Sequence, residues 1–401
     1  MGKQCVILLL ILLSAGTSFA QSGWMVYDTT NSPLPDNRTY KVLEDDFGNI
    51  WASTEKGLIK FDGVNWTVYD SVPGTNYALK NLFALAYDDI NDWIYVSMPG
   101  VLVRYDGTNW NTWPHMAYSN EDVVDSQGRV WMALYNLGVG VFDGTSFTYY
   151  DTTNSPIQSP YIFDIEKDFN DNFWIIAGPG LTKFDGTTWT IYDTSNSPLP
   201  SNSIFGIGVD NNNLLWVHGA TNQNDAFVYS FDGTTWTPFD TTICQPLYAY
   251  SFIEHDAMNR LWMGTYGEGL QMINNSACST YNEFNSPLPT NAIHDIHISS
   301  GQTLWITTQL SGLVKVDLPV GLNDAPETAG SIVFPNPTST ELTLTNFEGG
   351  EVHLYNILGE IIHSTTFASS EPKSVAIDVT FLVPGLYMIK TTDGIFKFVK
   401  Q

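Results

Sequence analysis

The chain has 401 residues, of which 42 are acidic and 16 are basic, and its formal net charge is −26. Such an acidic excess repels the phosphates of nucleic acids and anionic lipid headgroups, so we exclude nucleic acid as a partner. We favour solubility as its main role, with attraction of a cation or basic partner as the alternative.

The first 20 residues predict a secretory signal peptide. Lys3 precedes the apolar run VILLLILL, and small residues at Ser18 and Ala20 form a cleavage site before Gln21. This run is too short to span a bilayer, and we find no later segment that could. Cys5 lies ahead of the apolar run, so it is not placed as a lipoprotein cysteine. We therefore expect export without a transmembrane segment.

A short phrase recurs seven times at intervals of about 40 residues. It consists of a polar turn, an apolar anchor and a strand, and the anchors are Trp51, Ile94, Trp131, Trp174, Trp216, Trp262 and Trp305. Six residues before each anchor stand Asp45, Asp88, Asp125, Asp168, Asp210, Asp256 and Ser299. We expect the anchors to be core residues and the aspartates to shape turns, rather than to hold ligands or calcium.

Each repeat resolves into four strands, with Asp-Gly turns such as Asp62-Gly63 before the fourth. The seventh repeat ends after three strands, whereas the segment WMVYD at Trp24 matches a fourth strand and precedes the first repeat. The N-terminal strand should therefore complete the last repeat and leave no open edge. The sequence predicts an all-β fold, a seven-bladed β-propeller over residues 21–318 closed by an N-terminal outer strand.

The repeats resemble the two-component regulator propeller repeat, most clearly in Gly57 to Gly63 and Gly180 to Gly186. That family forms the periplasmic sensor region of membrane histidine kinases, so the resemblance implies the propeller fold. It also raises a sensor-type ectodomain as a third functional hypothesis, which the missing span and kinase argue against.

After a predicted linker at 319–330, residues 331–401 change to alternating apolar strands that predict a small Ig-like β-sandwich. The motifs are Asn356 to Gly359 and the positions Pro335, Asn336, Pro337, Gly385, Tyr387, Lys397 and Lys400. They resemble the C-terminal sorting domain of type IX secretion substrates. The resemblance implies that the secretion machinery is a partner. It also implies that the tail is then cleaved, with the protein released or attached to the outer-membrane surface.

Cysteine and histidine give little indication of chemistry. Cys244 and Cys278 should lie near opposite faces of the disc, so we favour two free thiols over a disulfide. His294 and His297 are three apart on a strand and face oppositely, so one metal seldom takes both. We predict no metal and no cofactor.

The loops between second and third strands differ most among the repeats, and scaffold-held loops are where binding residues usually lie. Their polar and aromatic side chains would suit a glycan, a peptide or a protein ligand, although plain solvent loops are the alternative. The candidates are Glu55, Lys56, Tyr135, Asn222, Asp225, Tyr266, Glu268 and Gln309. Our first hypothesis is a non-enzymatic binding module.

The second hypothesis is an enzyme, such as a polysaccharide-cleaving enzyme or one resembling the streptogramin lyases, which share the seven-bladed fold. Catalysis would need an acid and a base that converge at the channel mouth. The candidates on the innermost strands are Glu121, Asp164, Glu166, Glu254, Asp295 and His297. Innermost carboxylates can also simply line a wet channel.

Overall fold

The computed structural model describes residues 23–221, 225–239, 251–273, 278–318, 332–334, 340–345, 350–356, 361–367, 374–383, 385–391 and 395–400. The chain divides into two compact units, Met1–Val320 and Gly321–Gln401. The predicted signal peptide and linker lie outside the described residues. Among the described residues no helix is long and apolar enough to cross a membrane.

The first unit contains seven four-stranded antiparallel sheets, which are the blades of a propeller. Blades 1 to 6 each use four consecutive strands. They are β2 (Thr39–Glu44), β3 (Ile50–Thr54), β4 (Leu58–Phe61), β5 (Trp66–Tyr69); β6 (Ala84–Asp88), β7 (Trp93–Met98), β8 (Val101–Tyr105), β9 (Trp110–Pro114); β10 (Ser119–Val124), β11 (Val130–Leu134), β12 (Gly138–Phe142), β13 (Phe147–Tyr150); β14 (Asp164–Lys167), β15 (Phe173–Ile176), β16 (Leu181–Phe184), β17 (Trp189–Tyr192); β18 (Ile204–Val209), β19 (Leu215–Ala220), β20 (Ala226–Phe231), β21 (Trp236–Pro238); and β22 (Ser251–His255), β23 (Leu261–Thr265), β24 (Gly269–Ile273), β25 (Cys278–Tyr281).

Blade 7 joins the two ends of the propeller. It contains β26 (Ile293–Ile298), β27 (Thr303–Thr308), β28 (Leu313–Asp317) and the N-terminal strand β1 (Trp24–Tyr27). β1 pairs antiparallel with β28, from Trp24 opposite Val316 to Tyr27 opposite Leu313. The predicted closure by an N-terminal outer strand is confirmed. Because β1 covers the outer side of β28, the hydrogen-bonding groups of that side of β28 are paired and not exposed to solvent.

In five of the seven blades the aspartate and the tryptophan of the repeated phrase are joined by a hydrogen bond, which we call the latch. The latch position is the position of this aspartate in each repeat, which is Asp88 in blade 2 and Ser299 in blade 7. In blade 1 the Asp45 carboxylate accepts the backbone N–H of Phe47 and Asn49 and, at 2.8 Å, the indole N–H of Trp51. The indole bond recurs in four other blades, in the pairs Asp125–Trp131, Asp168–Trp174, Asp210–Trp216 and Asp256–Trp262. The aspartate thus satisfies both its own turn and a tryptophan that packs between blades, which explains why both residues recur.

The same turns also connect neighbouring blades. The backbone N–H of the residue after the latch position donates to a side chain of the next blade. The pairs are Asp46–Tyr87, Ser126–Asp171, Phe169–Asn213, Ala257–Gln302 and Ser300–Glu44. The last pair links blade 7 to blade 1, so this belt also crosses the closure. These hydrogen bonds connect neighbouring blades on the face of the propeller opposite the site described below.

Cys278 is disulfide-bonded. Our expectation of a free thiol is therefore wrong for this residue, since it rested on loop positions inferred without coordinates. The two further cysteines of the sequence, Cys5 and Cys244, lie outside the described residues.

The second unit is a small Ig-like β-sandwich. Its strands are β29 (Ile332–Phe334), β30 (Glu341–Thr345), β31 (Gly350–Tyr355), β32 (Ile361–Phe367), β33 (Ser374–Asp378), β34 (Gly385–Lys390) and β35 (Ile395–Lys400). One sheet has the order β29-β30-β33 and the other β32-β31-β34-β35. Leu342, Leu344 and Leu354 are fully buried in its core.

Three of the predicted sorting residues can be placed in this sandwich. Gly385 begins β34, and buried Tyr387 donates its hydroxyl to the carbonyl of Val383 at 2.9 Å. Lys400 is buried near the end of β35. Pro335, Asn336 and Pro337 lie outside the described residues, as does the side chain of Lys397.

Candidate functional site

The first strand of every blade lines the central channel. These strands contact one another in a closed ring, β2 with β6 and so on to β26, which contacts β2. Four of them, β2, β10, β18 and β26, carry a register irregularity near their N-terminal ends. A bulge of this kind breaks the alternation of faces, so two successive residues can both point into the channel.

The channel opens into a cavity of about 410 Å³ at the N-terminal ends of the inner strands, which we call the mouth. Every blade contributes one ring to its wall: Tyr40, Phe83, Tyr118, Phe163, Phe205, Phe252 and His294. Five of them stand five residues before the latch position, and the blades of Tyr118 and Phe252 carry Asn120 and Ser251 there instead. The mouth is therefore a sevenfold aromatic wall built by the repeat itself.

The rings form a continuous arc with loop residues around part of this wall. His294 stacks between Tyr266 at 5.6 Å and Tyr40 at 5.4 Å. The arc continues through Phe83 and Tyr118 to Tyr135 and Tyr161, with centroids 4.8 to 5.5 Å apart. Such contacts hold the rings in place, so the wall is preorganised.

His294 is an apolar, neutral member of the wall. Its Nδ1 lies 2.7 Å from the carbonyl oxygen of Thr39. A carbonyl only accepts, so Nδ1 donates and carries the ring hydrogen. Burial lowers the pKa of His294, which keeps the imidazole uncharged at neutral pH.

Below the mouth the channel narrows to a polar cavity of about 140 Å³, which we call the floor. Its charged lining lies in two layers of the repeat. The upper layer, four residues before the latch position, holds Lys41, Glu121, Asp164 and Asp295, and the lower layer, two residues before it, holds Glu166 and Glu254. His297 belongs to the lower layer and contacts Glu254 at 3.3 Å.

Lys41 connects blades across the channel. Its ammonium is ion-paired to Glu121 of blade 3, lies 3.6 Å from Asp295 of blade 7, and sits 4.8 Å from the ring of Phe252 in blade 6. Only 7% of Lys41 is exposed. Burial alone would lower the pKa of Lys41, but the charges of Asp295 and Glu121 outweigh burial and raise it. Lys41 therefore stays protonated and links blades 1, 3 and 7 across the channel as a charged strut.

The carboxylates of the floor outnumber the cations, and burial raises several of their pKa values. Burial raises the pKa of Asp164 to about 6 and that of Glu166 well above its ordinary value. Glu121 and Asp295 shift in the same direction, although Lys41 opposes the change. Part of the floor therefore holds protons at neutral pH.

The structure brings together all six residues proposed for catalysis, because they share two layers of one channel. The loop candidates do not form one cluster. Tyr135, Tyr266 and Gln309 stand at the mouth, with the Gln309 amide donating to the Tyr266 hydroxyl at 2.6 Å.

The remaining loop candidates have other local partners. Glu55 pairs with Arg38 and Lys56 with Asp36, both at 2.6 Å. Asp225 accepts from the hydroxyl of Thr221, and the backbone of Glu268 donates to Thr265. Asn222 lies outside the described residues. No group of three His, Cys, Asp or Glu within the described part of the chain could hold a metal ion.

Sequence reasoning missed Lys41 and six of the seven rings of the wall, and it considered the seventh, His294, only as a metal ligand. An alignment of the repeats could have revealed the wall, because five of its rings occupy the same repeat position, five residues before the latch position. The pattern is hard to recognise because this position holds Tyr, Phe, His, Asn and Ser in different blades.

Replacing Glu166 with Gln should stabilise the protein at alkaline pH. Among the described residues Glu166 makes no ion pair or hydrogen bond, and burial and neighbouring carboxylates raise its pKa. A raised folded-state pKa means that ionisation costs stability as the pH rises above the unfolded value. We expect thermal melts to show nearly equal Tm values at pH 4 and a higher Tm for Glu166→Gln at pH 8, by roughly 2 °C for each kcal/mol gained.

The matched control for this prediction is Glu254→Gln. This variant keeps an acceptor oxygen for His297 but loses the negative charge beside it, so it should not gain stability at pH 8. Equal gains in both variants would contradict the assignment of the effect to Glu166.

Comparison with known proteins supports both units. Residues 332–401 match the family model described as the secretion system C-terminal sorting domain. Comparison with curated proteins gives no match.

Several solved structures share the fold at low sequence identity. PorZ of Porphyromonas gingivalis, a surface component of the type-IX secretion system, is 16% identical with a TM-score of 0.58, over 92% of this chain and 60% of PorZ. The extracellular domain of BT3049 from B. thetaiotaomicron, a putative hybrid two component system, is 17% identical with a TM-score of 0.58, over 85% of this chain and 48% of that one. Virginiamycin B lyase from Staphylococcus aureus is 17% identical with a TM-score of 0.59, over 74% of this chain and 99% of the lyase.

The chain thus spans 60% of PorZ and about half of the BT3049 domain. At these identities the likeness shows the fold alone. The sorting tail implies a secreted or cell-surface location. The chain thus contains a seven-bladed β-propeller, and its residues 332–401 match the secretion system C-terminal sorting domain.

Proposed function

We propose that this secreted or surface propeller is a non-enzymatic binding module that takes its ligand in the mouth. The observation that carries the proposal is the wall of seven rings, one from each blade, around an open cavity of about 410 Å³. Cavities of this size with apolar walls and a few polar groups are typical of small-ligand sites. The ligand is a small molecule, or a protruding group of a glycan, peptide or protein.

The polar floor supports binding rather than turnover. A general acid or base must reach the proton that it transfers, and Lys41 already engages Glu121 and Asp295. The floor, which Lys41 itself lines, measures only about 140 Å³, which is small for a substrate. The mouth is lined by aromatic rings, by the Asn120 amide and by charged residues of the upper layer such as Asp164. These groups can bind a ligand through ring contacts and hydrogen bonds.

Glycan and peptide arrays, read with the wild type and two phenylalanine variants, test the proposal. Phe163 directly precedes β14, lines the mouth and is 50% exposed, whereas Phe169 lies in the turn that follows the other end of β14 and is 67% exposed. Truncating a central aromatic contact costs more than about 1.4 kcal/mol, or tenfold in affinity. We expect Phe163→Ala to lose at least tenfold for any ligand identified and Phe169→Ala to match the wild type. Equal binding by all three proteins would overturn the proposal.

A second candidate function is a lyase or hydrolase. The observation that favours it is the convergence of six titratable side chains on one channel, with His297 in contact with Glu254. If it is an enzyme, array ligands should be consumed, and Glu166→Gln or Asp295→Asn should abolish the turnover. Ligands recovered intact would favour the binding module.

A further inference from the structure

The charges at the junction of mouth and floor indicate what kind of ligand group fits there. The floor holds five carboxylates against two groups that can carry positive charge, Lys41 and His297. Lys41 is engaged by Glu121 and Asp295, and His297 by Glu254. Because part of the floor is protonated at neutral pH, the negative excess is smaller than this count. It includes Asp164, which is mostly ionised at pH 7 and lies at the bottom of the aromatic cavity.

Asp164 is the carboxylate of the floor that is best placed to contact a ligand in the mouth. It lines both the mouth and the floor, directly after Phe163 of the wall. Its hydrogen bonds come from the backbone N–H groups of Ile165 and Ile207, and it has no ion pair among the described residues. Lys41 favours its ionised form from a distance. Asp164 thus retains acceptor capacity toward the mouth.

Aromatic faces around a carboxylate are the chemistry that recognises organic cations. An ammonium within about 6 Å of a ring centroid is attracted by the ring quadrupole, by roughly 2 kcal/mol when desolvated. A carboxylate at the end of the cavity adds a charge-assisted hydrogen bond. Lys41 already uses this arrangement inside the protein, between Phe252 and two carboxylates.

We propose that the mouth binds an ammonium group on an apolar stem, with the stem against the aromatic wall and the ammonium at Asp164. This inference rests on the proposed function and narrows its ligand to amines, including basic side chains of peptides. The chain's net charge of −26 draws such ligands in and opposes anionic ones.

Isothermal titration with three small probes tests the inference on the full chain. The probes share a phenyl ring and differ in charge: 2-phenylethylamine, 2-phenylethanol and phenylacetate. We expect the amine to bind at least tenfold more tightly than the alcohol, and phenylacetate to bind weakest. Equal affinity for amine and alcohol would overturn the cation preference while leaving the mouth as a binding site. No measurable binding of the amine at 10 mM, on the order of the weakest specific affinities, would also overturn it.

Three variants locate the effect. Asp164→Asn should weaken amine binding much more than alcohol binding, and the alcohol that still binds shows that the variant is folded. Phe163→Ala should weaken amine and alcohol alike. Asp70→Asn removes the same charge from an exposed position directly after β5, outside the mouth, and should behave as the wild type. An Asp164→Asn protein with the full amine preference of the wild type would contradict the assignment.

Amine binding should also strengthen with pH. Asp164 faces Lys41 of β2, Glu121 of β10, Asp295 of β26 and Glu166 of its own strand, and burial raises its pKa to about 6. An ammonium prefers the ionised carboxylate, whose fraction is roughly tenfold lower at pH 5 than at pH 7. The amine stays protonated throughout this range. We expect about tenfold weaker amine binding at pH 5, and unchanged alcohol binding; a flat amine profile would contradict the role of Asp164.

Discussion

Deleting β1, Trp24–Tyr27, should destroy the cooperative unfolding of the propeller. All four residues of β1 pair with β28, so the deletion leaves the outer edge of blade 7 without a partner. It also removes Tyr27, whose ring lies 5.0 Å from Trp66 of blade 1 and 6.2 Å from Trp305 of blade 7. We expect calorimetry to show a broad transition lowered by more than about 10 °C, with aggregation through the exposed edge.

Point variants keep this prediction testable if the deletion yields no soluble protein. Tyr27→Ala should cost about 2–3 kcal/mol, because it removes part of the ring packing between blades 1 and 7. Met25 lies on the same strand with its side chain 52% exposed, so Met25→Ala should change little. An unaltered melting transition in the deletion protein, or equal effects of the two point variants, would contradict closure by β1.

Replacing Lys41 with Met should be the most destabilising single change in the channel. The variant keeps the stem volume but leaves Glu121 and Asp295 without the ammonium that both contact. Removing one partner of a buried ion pair costs about 3–5 kcal/mol. We expect this loss in urea unfolding at pH 8. At pH 5 the loss should be smaller, because protonation of the two carboxyl groups relieves the unpaired charge.

The control for this change is Lys56→Met. Lys56 pairs with Asp36 but its side chain is 62% exposed, and exposed pairs contribute about 0–1 kcal/mol. The two variants should therefore differ by several-fold in cost at pH 8. A Lys41→Met protein as stable as the Lys56→Met protein would show that the strut contributes nothing to the fold.

The fold could be predicted because its determinants are local and repeated. Asp45 and Trp51 are six residues apart, and the hydrogen bond that joins them recurs in other blades. The count of fourth strands identified Trp24 as the start of the missing strand, and β1 does pair with β28. The sorting tail could be predicted for the same reason, since its motifs follow one another along the chain.

The site could be predicted only in part, because its residues meet across the ring. Simple alternation along a strand sends neighbouring residues to opposite faces, whereas the irregularities of β2 and β26 bring successive positions into the channel. Lys41 has no distinctive sequence neighbour, and its partners Glu121 and Asp295 lie in distant blades. The loop candidates Glu55 and Lys56 looked exposed and available, but local partners hold them.

A crystal structure of the protein with 2-phenylethylamine would test most directly the claim that the mouth is a ligand site. We predict the phenyl group against the rings of the wall, in contact with Phe163 or Tyr118. The amine nitrogen should lie about 2.7–2.9 Å from a carboxylate oxygen of Asp164. An empty mouth with the compound bound elsewhere, or an amine that points to solvent away from Asp164, would contradict the account.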